Sequence, residues 1–523
     1  MVKSGIAPLH ATLAHTRAPW YRRAGGPWDR PVLDASFPLV RSTAVVEGST
    51  RLDGAALEAV VAALAGRLRA AGGGRGRVVA WQLPNGPASL AMYRACWRIG
   101  ATAAPLHHRL GPIEAAGALD QVRPVAVLAS SDMPASGYPS AIALAPHGSV
   151  EELMAALPDG MPVARASCPS MPHDLAVVLF TSGSTGRPKA VLHTQRALAY
   201  KAALMLDVHG LRQGDAVLMP APLAHVSGLL NGVLIPAMGG LPTVLMATWD
   251  PAAALDAIER ERITFMGAPP VFFSQIAADE HFTRERVASM RLISTGGAAV
   301  SPAFVEQTAD AFACSVKRTY GSTEAPTVTT STASDRPEHA RETDGRPLGD
   351  VELQIRVASS AKQASPGEVG EIWLRGPELF AGYVDRVATA KALAEPGGWF
   401  RTGDLGTLDS DGWLRVTGRL SDIIIRAGEN ISAAEVEAIL EAHPSIHQAV
   451  AVAAPDPAVG ERVVAFVTSS APFDLEACRA WFAESGATRF KTPEVVVALD
   501  EIPSLAAGKP DRAALRQMAR QLA

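Results

Sequence analysis

The sequence predicts an α/β protein: a large N-terminal domain of doubly wound α/β subdomains with a small β-rich subdomain, then a small α+β C-terminal domain. Three observations predict it. Short apolar runs alternate with stretches of helical spacing from about Thr50 to Gly345. Beyond Gly345 come short, partly alternating strands split by turns such as SPGE and DSDG. At 523 residues the chain also exceeds the size at which one hydrophobic core stops growing.

The elements follow in order. Leu57, Val60, Val61, Leu64 and Leu68 fall on one helix face, and the glycines from Gly72 to Gly74 stop that helix. VVAWQL then reads as a buried strand and SLAMYRACWRIG as the helix after it. The beat repeats at PVAVLA, LAVVLF, DAVLMP, PTVLMA, ITFMGA and LISTGG. Strands alternating with helices imply parallel sheets, whose ligands collect at the carboxyl ends of the strands. TSGSTGRPKA stands in such a place, as a connection from the strand LAVVLF to a helix. Val226 to Trp249 carries no charge and has the length of a membrane span. Asn231, Pro236, the Gly239/Gly240 pair and Pro242 divide it into a helix, a turn and a buried strand instead. VELQIRV, GEIWLRG and GWLRVTGR form the β-rich unit; AAEVEAILEAH, VVAFVTS and LEACRAWFAES form the tail. The boundary falls at Leu420/Ser421, giving domains 1–420 and 421–523.

Composition narrows the class. The chain is 48% hydrophobic and 19% charged, as in a soluble globular enzyme. With 48 basic against 52 acidic residues, the net charge of -4 supplies no field for nucleic acid or anionic membrane. Cys96, Cys168, Cys314 and Cys478 are scattered, which excludes a zinc cluster or disulfide scaffold and suits a reducing cytoplasm. The first twenty residues contain no apolar core of signal-peptide length.

Five constellations can carry chemistry. TSGSTGRPK combines backbone amides free to approach an anion, hydroxyl donors and Lys189. It is not a Walker A loop, and alone it reads equally as a phosphate cradle or a small-residue turn. TYGSTEAP, preceded by STGGAAVS, offers Glu324 as a hard oxygen ligand of the kind magnesium takes. There the Gly296/Gly297 backbone is open to a flat group that Tyr320 can cover. WFRTGDLG places Asp404 between glycines, a carboxylate suited to ribose hydroxyls or simply a turn. GRLSDIIIRAGENIS sets Arg419 and Asp422 at the domain boundary, and SLAAGKPDR sets Lys509 on a loop near the C-terminus.

In this order and at these separations, TSGSTGRPK, PLAHVSG, STGGA, YGSTE, RTGD, GRLSD with AGENIS, and GKPDR resemble the adenylate-forming superfamily: acyl-CoA synthetases, peptide-synthetase adenylation domains and luciferases. The resemblance runs from about Thr50 to Arg512. It implies that Thr181, Ser182, Gly183, Ser184, Thr185, Gly186 and Lys189 handle the β- and γ-phosphates of ATP. Gly297, Ala298 and Ala299 then face the adenine opposite Tyr320, with Gly321 in the same ATP-binding turn. Thr323 binds a phosphate oxygen, Glu324 holds Mg2+, and Asp404 and Arg419 fix the ribose. Lys509 bridges the substrate carboxylate and the α-phosphate, stabilising the pentavalent phosphorus. The C-terminal domain is then mobile, turning about the hinge Ser421. That turn withdraws Lys509 and brings the loop at Gly428 to a pantetheine tunnel for coenzyme A. Three positions depart from the family pattern: Ala190 and Ala427 stand where glycine is usual, and Ser421 where Asp or Lys is common.

The same resemblance places His225, with catalytic weight, in an acyl pocket with Val226, Leu229, Leu230, Gly297, Ala298 and Ser322. No Lys or Arg in these segments suits a second carboxylate, and no Asp suits an α-amino group. A monocarboxylic acid with an apolar body (fatty, alicyclic or aryl) fits best, and YRRAGGPWDR is similar to the opening of aryl and alicyclic acid activators. The function implied is an ATP-dependent acyl-CoA ligase. The alternative is a stand-alone adenylation enzyme loading a carrier-protein phosphopantetheine, since both acceptors present the same thiol; a third is a nucleotide-binding protein that has lost catalysis.

Overall fold

The computed structural model describes residues 33–39, 43–146, 148–181, 188–298, 300–357, 362–393, 397–504 and 510–522. The chain divides into two compact units. The first takes the described residues up to Glu352 and then Leu374–Phe400; the second takes Leu353–Trp373 and everything from Arg401. Compactness thus groups most of the β-rich segment with the tail, earlier in the chain than the Leu420/Ser421 boundary expected from the sequence.

The first unit holds two large sheets. One has the strand order Gly382–Tyr383, Lys189–Thr194, Leu175–Thr181, Thr102–Pro105, Val78–Gln82, Ala126–Ser130, Ala141–Leu144. From Leu175–Thr181 onward its strands run parallel. Val78–Gln82 is buried along its whole length, which is why it reads as an unbroken apolar run. The other sheet carries six parallel strands: Ser315–Tyr320, Leu292–Gly296, Phe265–Ala268, Val217–Met219, Thr243–Leu245 and Thr43–Glu47. Both are the βαβ layering that the alternation predicts.

Helix Gly54–Ala70 starts where Asp53 accepts the Ala56 amide, and the Gly73 amide closes it on the Leu68 carbonyl. Helix Pro87–Ile99 is buried on every side. Its two arginines survive burial by pairing: Arg94 and Arg98 reach the Asp34 carboxylate at 2.8 and 2.7 Å, and both also reach Glu58. The uncharged stretch from Val226 breaks as its glycines and prolines indicate, into helical turns to Gly239 and the strand Thr243–Leu245. Among the described residues, no helix is long and apolar enough to cross a membrane.

One expectation fails. TSGSTGRPKA does not join a strand to a helix. It joins Leu175–Thr181 to the antiparallel strand Lys189–Thr194, with Thr181 opposite Lys189, and the helix Gln195–Val208 begins only afterwards. KAVLHT is too short for periodicity to separate it from the helix that follows.

Strands Glu352–Arg356, Gly370–Arg375, Phe400–Leu408 and Leu414–Arg419 form one sheet, which falls in the second unit except for Glu352, Leu374, Arg375 and Phe400. Glu429–Ser432, Ile423–Arg426, Gly460–Ser469 and Ile446–Asp456 form another, with Val495–Ala498 added on Gly460–Ser469. Helices Ala433–Glu441, Leu475–Glu484 and Arg512–Gln521 complete the unit.

Candidate active site

Four strand ends of the first unit supply the candidate site. Thr181 and Lys189 close the mouth of the glycine-rich loop as opposed residues of a hairpin. Ser182 to Gly186 lie outside the described residues. In the other sheet Gly296 pairs with Thr319 on parallel neighbours, so the chain continuing to Gly297 and Ala298 and the chain continuing to Tyr320 leave side by side. Gly297, Ala298 and Gly321 are exposed there, and Ala299 lies outside the described residues. Gly321 has no room for a side chain, since a Cβ would stand 2.3 Å from the Thr327 amide nitrogen. The turn it opens is closed by reciprocal bonds between the backbones of Ser322 and Ala325.

The carboxylate of Glu324 is held from the first sheet. Its Oε1 accepts from the phenol of Tyr383 at 2.7 Å, and its carbonyl accepts from the Phe380 amide at 2.8 Å. The same Tyr383 ring carries the ammonium of Lys189 5.6 Å from its centroid, within cation–π range. Burial and the adjacent carboxylate push the phenol well up, so it stays protonated and donates. One residue earlier, the Thr323 carbonyl accepts from Nε2 of His193 at 2.7 Å. A carbonyl only accepts, so the proton sits on Nε2; burial holds this imidazole down to about 4, hence neutral. Below the turn, Lys201 donates to the Thr327 carbonyl at 3.0 Å and pairs with Glu378 at 2.8 Å, both fully buried.

His225 caps the helical segment that starts at Val226, and its ring meets His107 edge-on at 5.0 Å; His108 stacks on His107 at 4.5 Å. Burial, then the neighbouring His225 and His108, push His107 far down. Gly228 lets this segment pack close, because a Cβ there would stand 2.0 Å from the Pro222 carbonyl oxygen. Leu229 to Leu234 wind as a π-helix, a wide turn frequent at functional sites. Leu229 and Leu230 are buried in the main core with Val226 packed against it, and Ser322 is half-buried.

In the second unit, Asp404 and Arg419 face each other across an antiparallel pair with a 2.7 Å ion pair. Asp404 is buried and Arg419 exposed. The Ser421 carbonyl accepts from Arg516, which also pairs with Asp422 at 2.6 Å. Ala427 and Gly428 are the two central residues of a hairpin turn closed by Arg426 opposite Glu429, both with positive φ. Lys509 lies outside the described residues.

Sequence reading missed His193, Lys201, Glu378 and Tyr383. Each was visible as a polar residue in an apolar run (KAVLHT and LFAGYV for His193 and Tyr383), and nothing local said what it would meet.

Comparisons against known proteins identify the family. Residues 35–384 match the family model described as AMP-binding enzyme, and residues 435–509 match AMP-binding enzyme C-terminal domain. The chain is 33% identical over 484 residues to the medium-chain fatty-acid–CoA ligase of Escherichia coli (strain K12), covering 88% of this chain and 85% of that one. It is also 33% identical over 494 residues to a feruloyl-CoA synthase of an Amycolatopsis species, covering 91% and 96%. Among solved structures it is similar to the o-succinylbenzoate CoA synthetase of Bacillus subtilis in complex with its acyl-adenylate, with a TM-score of 0.82, 26% identity and 93% and 98% of the chains covered. With both family models matched in order and relatives of this identity along nearly the whole chain, this protein belongs to the adenylate-forming superfamily of AMP-binding enzymes, as an AMP-forming acid–CoA ligase using ATP and CoA.

Proposed function

We propose that the enzyme activates a monocarboxylic acid with an apolar body as its acyl-adenylate, releases pyrophosphate, and passes the acyl group to the thiol of coenzyme A. The observation that carries this reading is the Glu324 carboxylate, fixed by Tyr383 beside the ring that bears Lys189 at the mouth of the phosphate loop. That arrangement offers an anion for a metal and a cation for phosphates within one ring's reach, the two charges phosphoryl transfer requires.

Magnesium fits the donor set: a single hard carboxylate, one oxygen held by a neutral phenol, completed by substrate phosphates as this ion prefers. Glu324 would hold it, and when bound it neutralises charge on the phosphates. Lys189 and the loop from Thr181 steady the leaving pyrophosphate, and Thr323 a phosphate oxygen. Gly297 and Ala298 present bare backbone to the adenine, with Tyr320 beside them. In the second unit, Asp404 and Arg419 carry the ribose assignment. Lys509 stabilises charge as the carboxylate attacks the α-phosphorus, so no covalent nucleophile is needed and positioning supplies most of the rate. Rotation about Ser421 then withdraws Lys509 and brings the Gly428 turn to the thiol. The reaction is placed in the cytoplasm, where ATP and CoA are supplied.

His225 and Val226, followed in the chain by the buried Leu229 and Leu230, give the proposed pocket wall an apolar character that only imidazole interrupts. Relatives named for medium-chain fatty acid and for feruloyl substrates support the same class. The test is pyrophosphate release over a panel of fatty, alicyclic, aryl, dicarboxylic and amino acids, with and without CoA. Release with an apolar monocarboxylate and a CoA thioester as product support the reading. Preference for a dicarboxylate or amino acid would overturn the substrate class, and transfer only to a phosphopantetheinylated carrier protein would overturn the acceptor.

A further inference from the structure

Tyr383 touches both charged groups assigned to the phosphates. Its hydroxyl donates to Glu324 Oε1 at 2.7 Å, and the face of its ring takes the Lys189 ammonium at 5.6 Å from the centroid. No ion pair joins Lys189 to Glu324 among the described residues, although opposite charges separated by one ring attract. The ring stands between them.

The chain invests several contacts in holding that ring. Tyr383 pairs with Val191 on the strand that carries Lys189. Its amide donates to Thr389 Oγ1 at 2.8 Å, and the Thr389 hydroxyl stands within reach of both the Tyr383 carbonyl, at 3.1 Å, and the Asp385 carbonyl, at 2.9 Å. Gly382 before it has φ +127°, and a Cβ there would stand 2.9 Å from Thr389 Cγ2, so only glycine lets the clasp close. Phe380, two residues earlier than Gly382, fixes the Glu324 backbone and packs edge-on against the Tyr383 ring at 4.9 Å.

We propose that Tyr383 is a positioning residue for adenylation: its hydroxyl orients the Glu324 carboxylate for magnesium, while its ring docks Lys189 and keeps that cation from pairing with Glu324. With Oε1 engaged by a neutral donor, Oε2 is left for a metal and the carboxylate cannot swing. The inference rests on the ligase reading for the reaction it serves, and on geometry alone for the two contacts.

Two substitutions separate the two contacts. Tyr383→Phe removes the hydroxyl and keeps the ring; Tyr383→Leu removes both. Binding of α,β-methylene-ATP, read by calorimetry with Mg2+ and with EDTA, reports on the site without turnover. Tyr383→Phe is expected to raise the half-saturating Mg2+ about 10–100-fold and leave affinity in EDTA unchanged, a loss in keeping with one hydrogen bond to a charged group. Tyr383→Leu is expected to weaken binding in both media. In acid-dependent pyrophosphate exchange, Tyr383→Phe should shift the Mg2+ dependence by the same factor with the KM for the acid unchanged. Adding Tyr383→Phe to Glu324→Gln should give no further loss, because the hydroxyl acts through that carboxylate. An unchanged Mg2+ dependence in Tyr383→Phe, or losses that add in the double variant, would overturn the proposal. If the wild type instead releases no pyrophosphate with any acid, the ligase reading falls, while the Mg2+-dependent nucleotide binding still decides the role of Tyr383.

Discussion

Nε2 of His193 donates to the carbonyl of Thr323 at 2.7 Å, tying the strand behind the phosphate loop to the turn that presents Glu324. The imidazole is fully buried, and burial holds it down to about 4 from an ordinary 6.5. The unfolded chain therefore binds a proton that the native state refuses between those values. Stability from this group is complete above pH 6.5 and declines as the pH falls toward 4, by on the order of 3 kcal/mol. Urea denaturation from pH 4 to 7 should show that limb in the wild type. His193→Gln keeps a donor for Thr323 but does not titrate, so its stability should fall less over the same range. His193→Phe strands the carbonyl and should cost about 1–3 kcal/mol at pH 7. A His193→Gln curve parallel to the wild type would refute the assignment.

Ala427 holds a conformation that suits glycine. Its φ is +49° in the two-residue turn with Gly428, where both central positions need positive φ. Ala427→Gly is expected to stabilise the protein by about 0.5–1 kcal/mol, the relief of the methyl group exceeding the added freedom of the unfolded chain. Ala427→Val should destabilise by more than that. Thermal melts of the three proteins check both signs.

Removing Lys509 should separate the two half-reactions. Lys509→Ala is expected to abolish pyrophosphate release and largely spare thioester formation from supplied acyl-adenylate, because only the first step passes through a pentavalent phosphorus. Equal loss of both steps would sink the role given to Lys509.

The buried Lys201–Glu378 pair supports the turn from below, through the Thr327 carbonyl. Lys201→Met leaves Glu378 charged and alone, which should cost about 3–5 kcal/mol. Adding Glu378→Leu should restore most of that loss in a denaturation experiment. Pyrophosphate exchange would recover only in part, because the Thr327 carbonyl still lacks its donor.

The sequence by itself determined much of this protein. Alternating apolar runs announced parallel sheets, since strands covered on both faces must be apolar throughout. The small-residue motifs located the candidate site, since backbone that must approach a ligand or another chain closely cannot carry side chains; Gly228 and Gly321 show the close approach directly. Tertiary structure alone decided the partners. The connection after Leu175–Thr181 became a hairpin because KAVLHT pairs with that strand on one side and with Gly382–Tyr383 on the other. Glu324 and Lys189 were legible as charges in motifs. That they share Tyr383, distant in sequence from both, was not: a hydrogen bond between two sheets leaves no periodicity in the chain, only an isolated polar residue whose partner the fold supplies.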